Sequence, residues 1–128
     1  MIDMKEMERL GFPRQEAEAH FNHDLQLFTN CLYLYFLTDN ITKLERAVSE
    51  KRWKNAENLA HTMKGSSGNL KLMPLYRTYL EMTDLFRAGQ PEEAVKLLPE
   101  AVRLEREFRL AADWEAGRVD WVPPMSVP

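Results

Sequence analysis

Glycine and cysteine are scarce in this chain of 128 residues, with five of the first and one of the second. A lone cysteine, Cys31, excludes an internal disulfide, and its place in an apolar run reads as an inert packed thiol. No run of residues alternates apolar and polar between hairpin turns, which excludes a β-sheet architecture. The longest mostly apolar stretch, Cys31 to Leu37, is far too short to span a bilayer. A surplus of one charge sign is also missing: 17 basic against 20 acidic side chains leave a formal charge of −3. Such a chain has no field for holding a polyanion, so nucleic-acid binding is not expected. Charges alternate through Met1 to Glu6, where a secretory signal needs a basic start and an apolar run, and the protein is expected to be cytoplasmic.

Helical periodicity dominates what is present. Residues 2–9 fit a short amphipathic helix that Gly11 ends, followed by Pro13 at the first turn of the next. From Arg14 to Leu37 there is neither glycine nor proline, and Phe21, Leu25, Phe28, Leu32 and Tyr35 keep a three-to-four spacing, which predicts one long helix. Thr38-Asp39-Asn40 interrupts it with capping residues, and Ile41, Leu44, Ala47 and Val48 start a second stripe that runs to about Glu50. Trp53 begins a third helix reaching Leu70, and Pro74 to Gly89 a fourth. Ala94 to Ala111 carries a last helical period that Pro99 must break near Leu98. These segments predict an all-α fold, an antiparallel four-helix bundle with an additional N-terminal helix. The domain is expected over residues 1–114, with 115–128 a C-terminal tail, disordered or strapped across the bundle.

Chemistry concentrates in Ala60-His61-Thr62-Met63-Lys64-Gly65-Ser66-Ser67-Gly68-Asn69-Leu70. Wound at about 100° per residue, Glu57, Lys64, Gly65 and Gly68 fall within roughly 60° of His61, whereas Ala56, Leu59, Met63 and Leu70 face the other way. The helix therefore presents His61 to solvent. Two glycines on an exposed helical face each cost about 1 kcal/mol against alanine, a cost that access to the histidine would explain. A neutral imidazole has a lone pair suited to attack on phosphorus, and Lys64, one turn on, is placed to offset the charge of a phosphoryl group. Lys71 lies on the flank of Lys64 by helical angle and could add a second cation. His61 with Glu57 gives only two ligands, short of a zinc set, and no metal site is expected. There is no glycine-rich nucleotide loop and no acid cluster for magnesium.

The run AHTMKGSSGNL resembles the motif of histidine-containing phosphotransfer domains, in which lysine and glycine follow a histidine three and four positions on. The resemblance implies a four-helix bundle, His61 as phosphoacceptor, Lys64 as the neighbouring cation and Gly65 as the residue that clears space. It implies a carrier rather than an enzyme, which passes phosphate between response-regulator receiver domains in a two-component phosphorelay, with a sensor histidine kinase upstream. The receiver would bring the aspartate and the Mg2+, and the carrier itself would need no cofactor. Gly65, Gly68, Glu57 and Lys71 would form the docking surface, with exposed apolar residues nearby supplying affinity, and the protein would act as a monomer. The family commonly has glycine ten residues after the histidine, where this chain has Lys71. The alternative is a non-catalytic helical adaptor that binds a signalling partner and transfers nothing.

Overall fold

Every regular element in the computed structural model, which describes residues 1–124, is a helix. They are α1 (Met4–Arg9), α2 (Arg14–His20), α3 (Leu25–Thr38), α4 (Asn40–Ser49), α5 (Trp53–Asn69), α6 (Met73–Arg87), α7 (Pro91–Val95), α8 (Leu98–Ala111) and α9 (Trp114–Gly117). Helix α4 packs on α5, α5 on α6, α6 on α8, and α8 back on α4, so the contacts close the ring of a four-helix bundle. Leu44, Ala56, Ala60, Met63, Leu75, Tyr79, Met82 and Phe108 fill it. Helix α3 adds Phe28, Leu32, Tyr33 and Phe36 to the same core.

The expected helix from Arg14 to Leu37 is two helices. Asn22 and His23 adopt left-handed backbone angles, with φ of 54° and 58°, which end α2. Asp24 then caps α3, its carboxylate accepting from the Leu27 N–H at 3.0 Å. Asparagine tolerates that left-handed region better than most residues, so a polar trio stops the helix without glycine or proline. The N-terminal addition is accordingly two short helices. Its first strand of contact is firm: Asp3 N–H donates to the Ala111 carbonyl at 2.7 Å, tying α1 to α8.

Elsewhere the punctuation works as expected. Asp39, left-handed at φ 51°, separates α3 from α4, and Arg109 of α8 locks that joint by donating to the Asp39 carboxylate at 3.1 Å and the Phe36 carbonyl at 3.3 Å. Pro74, Pro91 and Pro99 each sit in the first turn of a helix, where the missing N–H costs nothing. Gly89, at φ +72°, ends α6: its N–H reaches the Phe86 carbonyl and that of Gln90 the Leu85 carbonyl, a Schellman turn.

Beyond α8 the chain turns over Tyr33. The Tyr33 hydroxyl donates to the Ala112 carbonyl at 2.9 Å, and the rings of Trp114 and Trp121 stand edge-on to it. The Trp121 indole N–H donates to Asn30 at 3.0 Å. Gly117 lies so close to the Tyr33 hydroxyl that any side chain there would collide. The final positions of the predicted tail, 125–128, lie outside the described residues. Cys31 is half-buried, and burial pushes its thiol up from the ordinary range, which keeps it protonated.

Candidate functional site

Helix α5 has no side-chain cap at its N-terminus and is held by what it packs against. Ala56, Ala60, Met63 and Ser67 are its buried stripe, facing α4 and α6. The opposite side carries His61, whose ring is exposed. Across from it, Arg87, the last residue of α6, places Nη2 3.3 Å from His61 Nδ1. Arg87 Nε lies 3.7 Å from Glu57 Oε2, and Lys54 Nζ approaches the same oxygen to 3.2 Å. Glu57, with a side chain only 17 % exposed, thus anchors a guanidinium that is 50 % exposed and spans from the carboxylate to the imidazole.

Arg87 was not legible as a site residue. It is 26 positions from His61, and only the antiparallel pairing of α5 with α6 brings the two together. The one signal in the sequence is a cation in the last turn of a helix, which is common for reasons of the helix dipole alone. Trp53, one turn before Glu57, lies against Phe86 with ring centroids 6.3 Å apart, so the segment carrying Arg87 is packed on the start of α5.

The other expected site residues separate into two groups. Gly65 is exposed, and a Cβ built there would meet nothing within 4 Å, so bare backbone lies open one turn from the histidine. Lys64 is half-buried on the same helix, and the ion pairs of Glu57 are with Lys54 and Arg87 rather than with it. Gly68 has a different reason to be glycine. A Cβ there would come within 2.8 Å of the Tyr76 ring, so its bareness seats an aromatic side chain of α6.

Lys71 is not on the helix at all. Helix α5 ends at Asn69, and Lys71 takes a left-handed φ of 61° in the turn that follows. Its N–H donates to the Gly68 carbonyl at 3.1 Å, and that of Leu72 to the Ser67 carbonyl at 2.9 Å. The helical-angle argument that set it beside Lys64 therefore does not hold. The position is the one where a Schellman turn favours glycine, which accounts for the residue expected there by resemblance.

The surface near His61 also departs from expectation in its apolar content. The large hydrophobic side chains that stand exposed among the described residues, Met1, Leu25, Leu27, Leu37, Leu110, Val119 and Val122, belong to the N-terminus, α3, α8 and the C-terminal segment, and none is on α5 or α6. Charge and open backbone characterise the site instead. Among the described residues no group of three or more histidine, cysteine, aspartate or glutamate side chains could hold a metal ion. No helix there is long and apolar enough to cross a membrane.

A family model described as the Hpt domain matches residues 31–116, from the middle of α3 into α9. The chain belongs to the Hpt domain family. The match covers all four helices of the bundle ring and the whole of α5, so the exposed histidine lies inside the Hpt region. Hpt domains are phosphotransfer modules of two-component phosphorelays with receiver domains as partners. No curated protein and no solved structure matches the chain.

Proposed function

We propose that His61 is the phosphoacceptor of this Hpt domain, taking a phosphoryl group from a receiver-domain aspartate and handing it to another. The observation that carries the reading is the asymmetry of the ring. Nδ1 is engaged by Arg87, whereas Nε2 has no partner among the described residues, and one turn on a Cβ at Gly65 would meet only open space. The new bond is thus P–Nε2. The Nε2 lone pair attacks from the tautomer protonated on Nδ1, with Arg87 drawn back from that nitrogen. As the bond forms, the P–O bond to the aspartate breaks, the aspartate keeps the electron pair, and the Nδ1 proton passes to solvent. Lys64 and Arg87 offset charge on the phosphoryl oxygens, while the receiver supplies the aspartate and its Mg2+.

The carrier works on a partner's chemistry, so its own task is to hold one nucleophile exposed and oriented. Docking would rest on the face made by Glu57, Gly65 and the turn holding Lys71, with Gly68 contributing through Tyr76. A monomer in the cytoplasm, fed by a sensor histidine kinase, fits this role. The test is incubation with a receiver domain carrying labelled aspartyl phosphate. Label that appears on the chain, resists base, is lost in acid and is absent from His61→Gln supports the carrier. Stable binding to the receiver with no label on the wild type would instead establish a helical adaptor.

A further inference from the structure

The N-terminal addition holds a recess of about 290 Å3, and every residue that lines it precedes position 31, where the Hpt match begins. It follows from how the chain turns. The left-handed pair Asn22 and His23 leads from α2 into α3, and Phe21 before the turn meets Phe28 after it with ring centroids 5.2 Å apart. Phe12, ahead of α2, meets the Phe28 ring at 5.4 Å. These three buried rings form the floor together with Ala17, whose single side-chain carbon leaves the space between them unfilled. Met4 of α1 and the exposed Leu25 of α3 complete the apolar lining.

Packed interiors seldom leave room for more than a water molecule. An apolar hollow of about 150 Å3 already accepts benzene, so this one has room for about two fused rings.

Charge at the rim is mainly of one sign. Glu18 and Asp24 line the recess with Arg14 and His23, and a wider hollow beside it shares Phe12, Arg14 and Glu18 and adds Glu8 and Glu16. Arg14 is already taken up by two of these acids: its Nε lies 2.9 Å from Glu18 Oε1 and its Nη1 3.5 Å from Glu8 Oε1. Asp24 accepts from the Leu27 N–H through Oδ1, and its Oδ2 has no partner among the described residues. Four carboxylates thus border the two hollows against one guanidinium. Aromatic ring faces are negative as well, so floor and rim both favour a cation.

We infer that this recess binds a small aromatic ammonium compound, an arylalkylamine, with its rings on Phe12, Phe21 and Phe28 and its ammonium beside Glu18 and Asp24. A neutral molecule of the same shape gains only the apolar contact. A carboxylate of that shape meets like charge. The assignment uses no residue of α5 or α6 and stands independently of the carrier reading.

Tryptamine, tryptophol and indole-3-propionate share one bicyclic ring system and differ in charge, so each is titrated into the full chain and followed by amide NMR shifts. Tryptamine should saturate with a dissociation constant on the order of 1 mM, as a dozen non-hydrogen atoms allow, and move the amides of residues 12–28 most. Tryptophol should bind about fivefold more weakly, and indole-3-propionate more weakly still. Asp24→Asn, which keeps the helix cap, and Glu18→Gln should each weaken tryptamine about threefold and leave tryptophol unchanged. Ala17→Met fills the space with a flexible side chain and should abolish binding of all three with helical circular dichroism intact. Absence of saturation by tryptamine at about tenfold higher concentration would overturn the inference. So would shifts centred on another face, tryptophol or indole-3-propionate binding as tightly as tryptamine, or a folded Ala17→Met that still binds. If Ala17→Met does not fold, the two charge variants decide, and tryptamine affinity indifferent to both overturns the inference equally.

Discussion

Two carboxylates on two faces of the bundle make opposite use of the same chemical group. Glu57 is half-buried, between Lys54 and a guanidinium that leans toward His61. Glu105 of α8 is 3 % exposed, and its Oε1 accepts hydrogen bonds from the hydroxyls of Tyr35 at 2.5 Å and Tyr79 at 2.7 Å. Those tyrosines come from α3 and α6, so one buried oxygen pins three helices at a point. Burial raises the Glu105 carboxyl above its ordinary range, opposed by the two hydroxyls and by Arg109. Burial, followed by the nearby Glu105 charge, likewise holds the Tyr79 hydroxyl far above its ordinary range. A buried acid whose partners are buried or half-buried gives the bundle its register, whereas an acid paired with solvent-exposed cations leaves the neighbouring histidine open to water.

The comparison is broken most severely by emptying the core site. Glu105→Ala leaves two buried hydroxyls without an acceptor and should cost about 3–5 kcal/mol in urea unfolding. Glu57→Ala should cost less than about 1 kcal/mol, because its partners are largely in water. Equal losses at the two positions would erase the distinction.

Gly65 and Gly68 give the next largest contrast. Gly68→Ala pushes a methyl into the Tyr76 ring and should destabilise by about 1–3 kcal/mol. Gly65→Ala meets open space and should stabilise α5 by up to about 1 kcal/mol while slowing transfer from a receiver, read as unfolding midpoint and labelling rate on the same samples.

The pH dependence sharpens the comparison further. The folded state holds the Glu105 proton to higher pH than the unfolded chain does, so stability from this group is complete below the ordinary carboxyl range and is lost as pH rises through the raised folded value. Unfolding free energy should therefore fall from about pH 4.5 upward, and the slope should flatten in Glu105→Gln. The smallest effect is at Lys71: glycine there relieves a left-handed lysine and should raise stability by about 1 kcal/mol, with transfer rate unaltered.

Most of the bundle was legible because its helix ends are written in local chemistry. Asp39, Pro74, Gly89 and Pro99 mark breaks that follow from what each residue does to its own backbone. The missed break at Asn22–His23 used residues that only tolerate the left-handed region, so the periodic apolar stripe outweighed them. At the site, the exposure of His61 followed from the helical wheel, and so did the burial of Ala56, Met63 and Leu70 opposite it, whereas Leu59 is only half-buried. Arg87, the reason for Gly68 and the left-handed Lys71 did not, because each depends on where α6 lies or on where α5 stops. Glu105 shows the same limit from the other side: Arg103, Arg106 and Glu107 around it are charged, and nothing local distinguishes it from a surface acid.

The turn at Gly89 closes α6 immediately after Arg87, and its backbone angle is one that side-chain-bearing residues rarely adopt. A residue that does not touch the histidine therefore determines where the guanidinium comes to rest. If His61 carries phosphate as proposed, the placement of its neighbouring cation is inherited from a helix terminator, and a substitution at this loop glycine should alter transfer before it unfolds the protein.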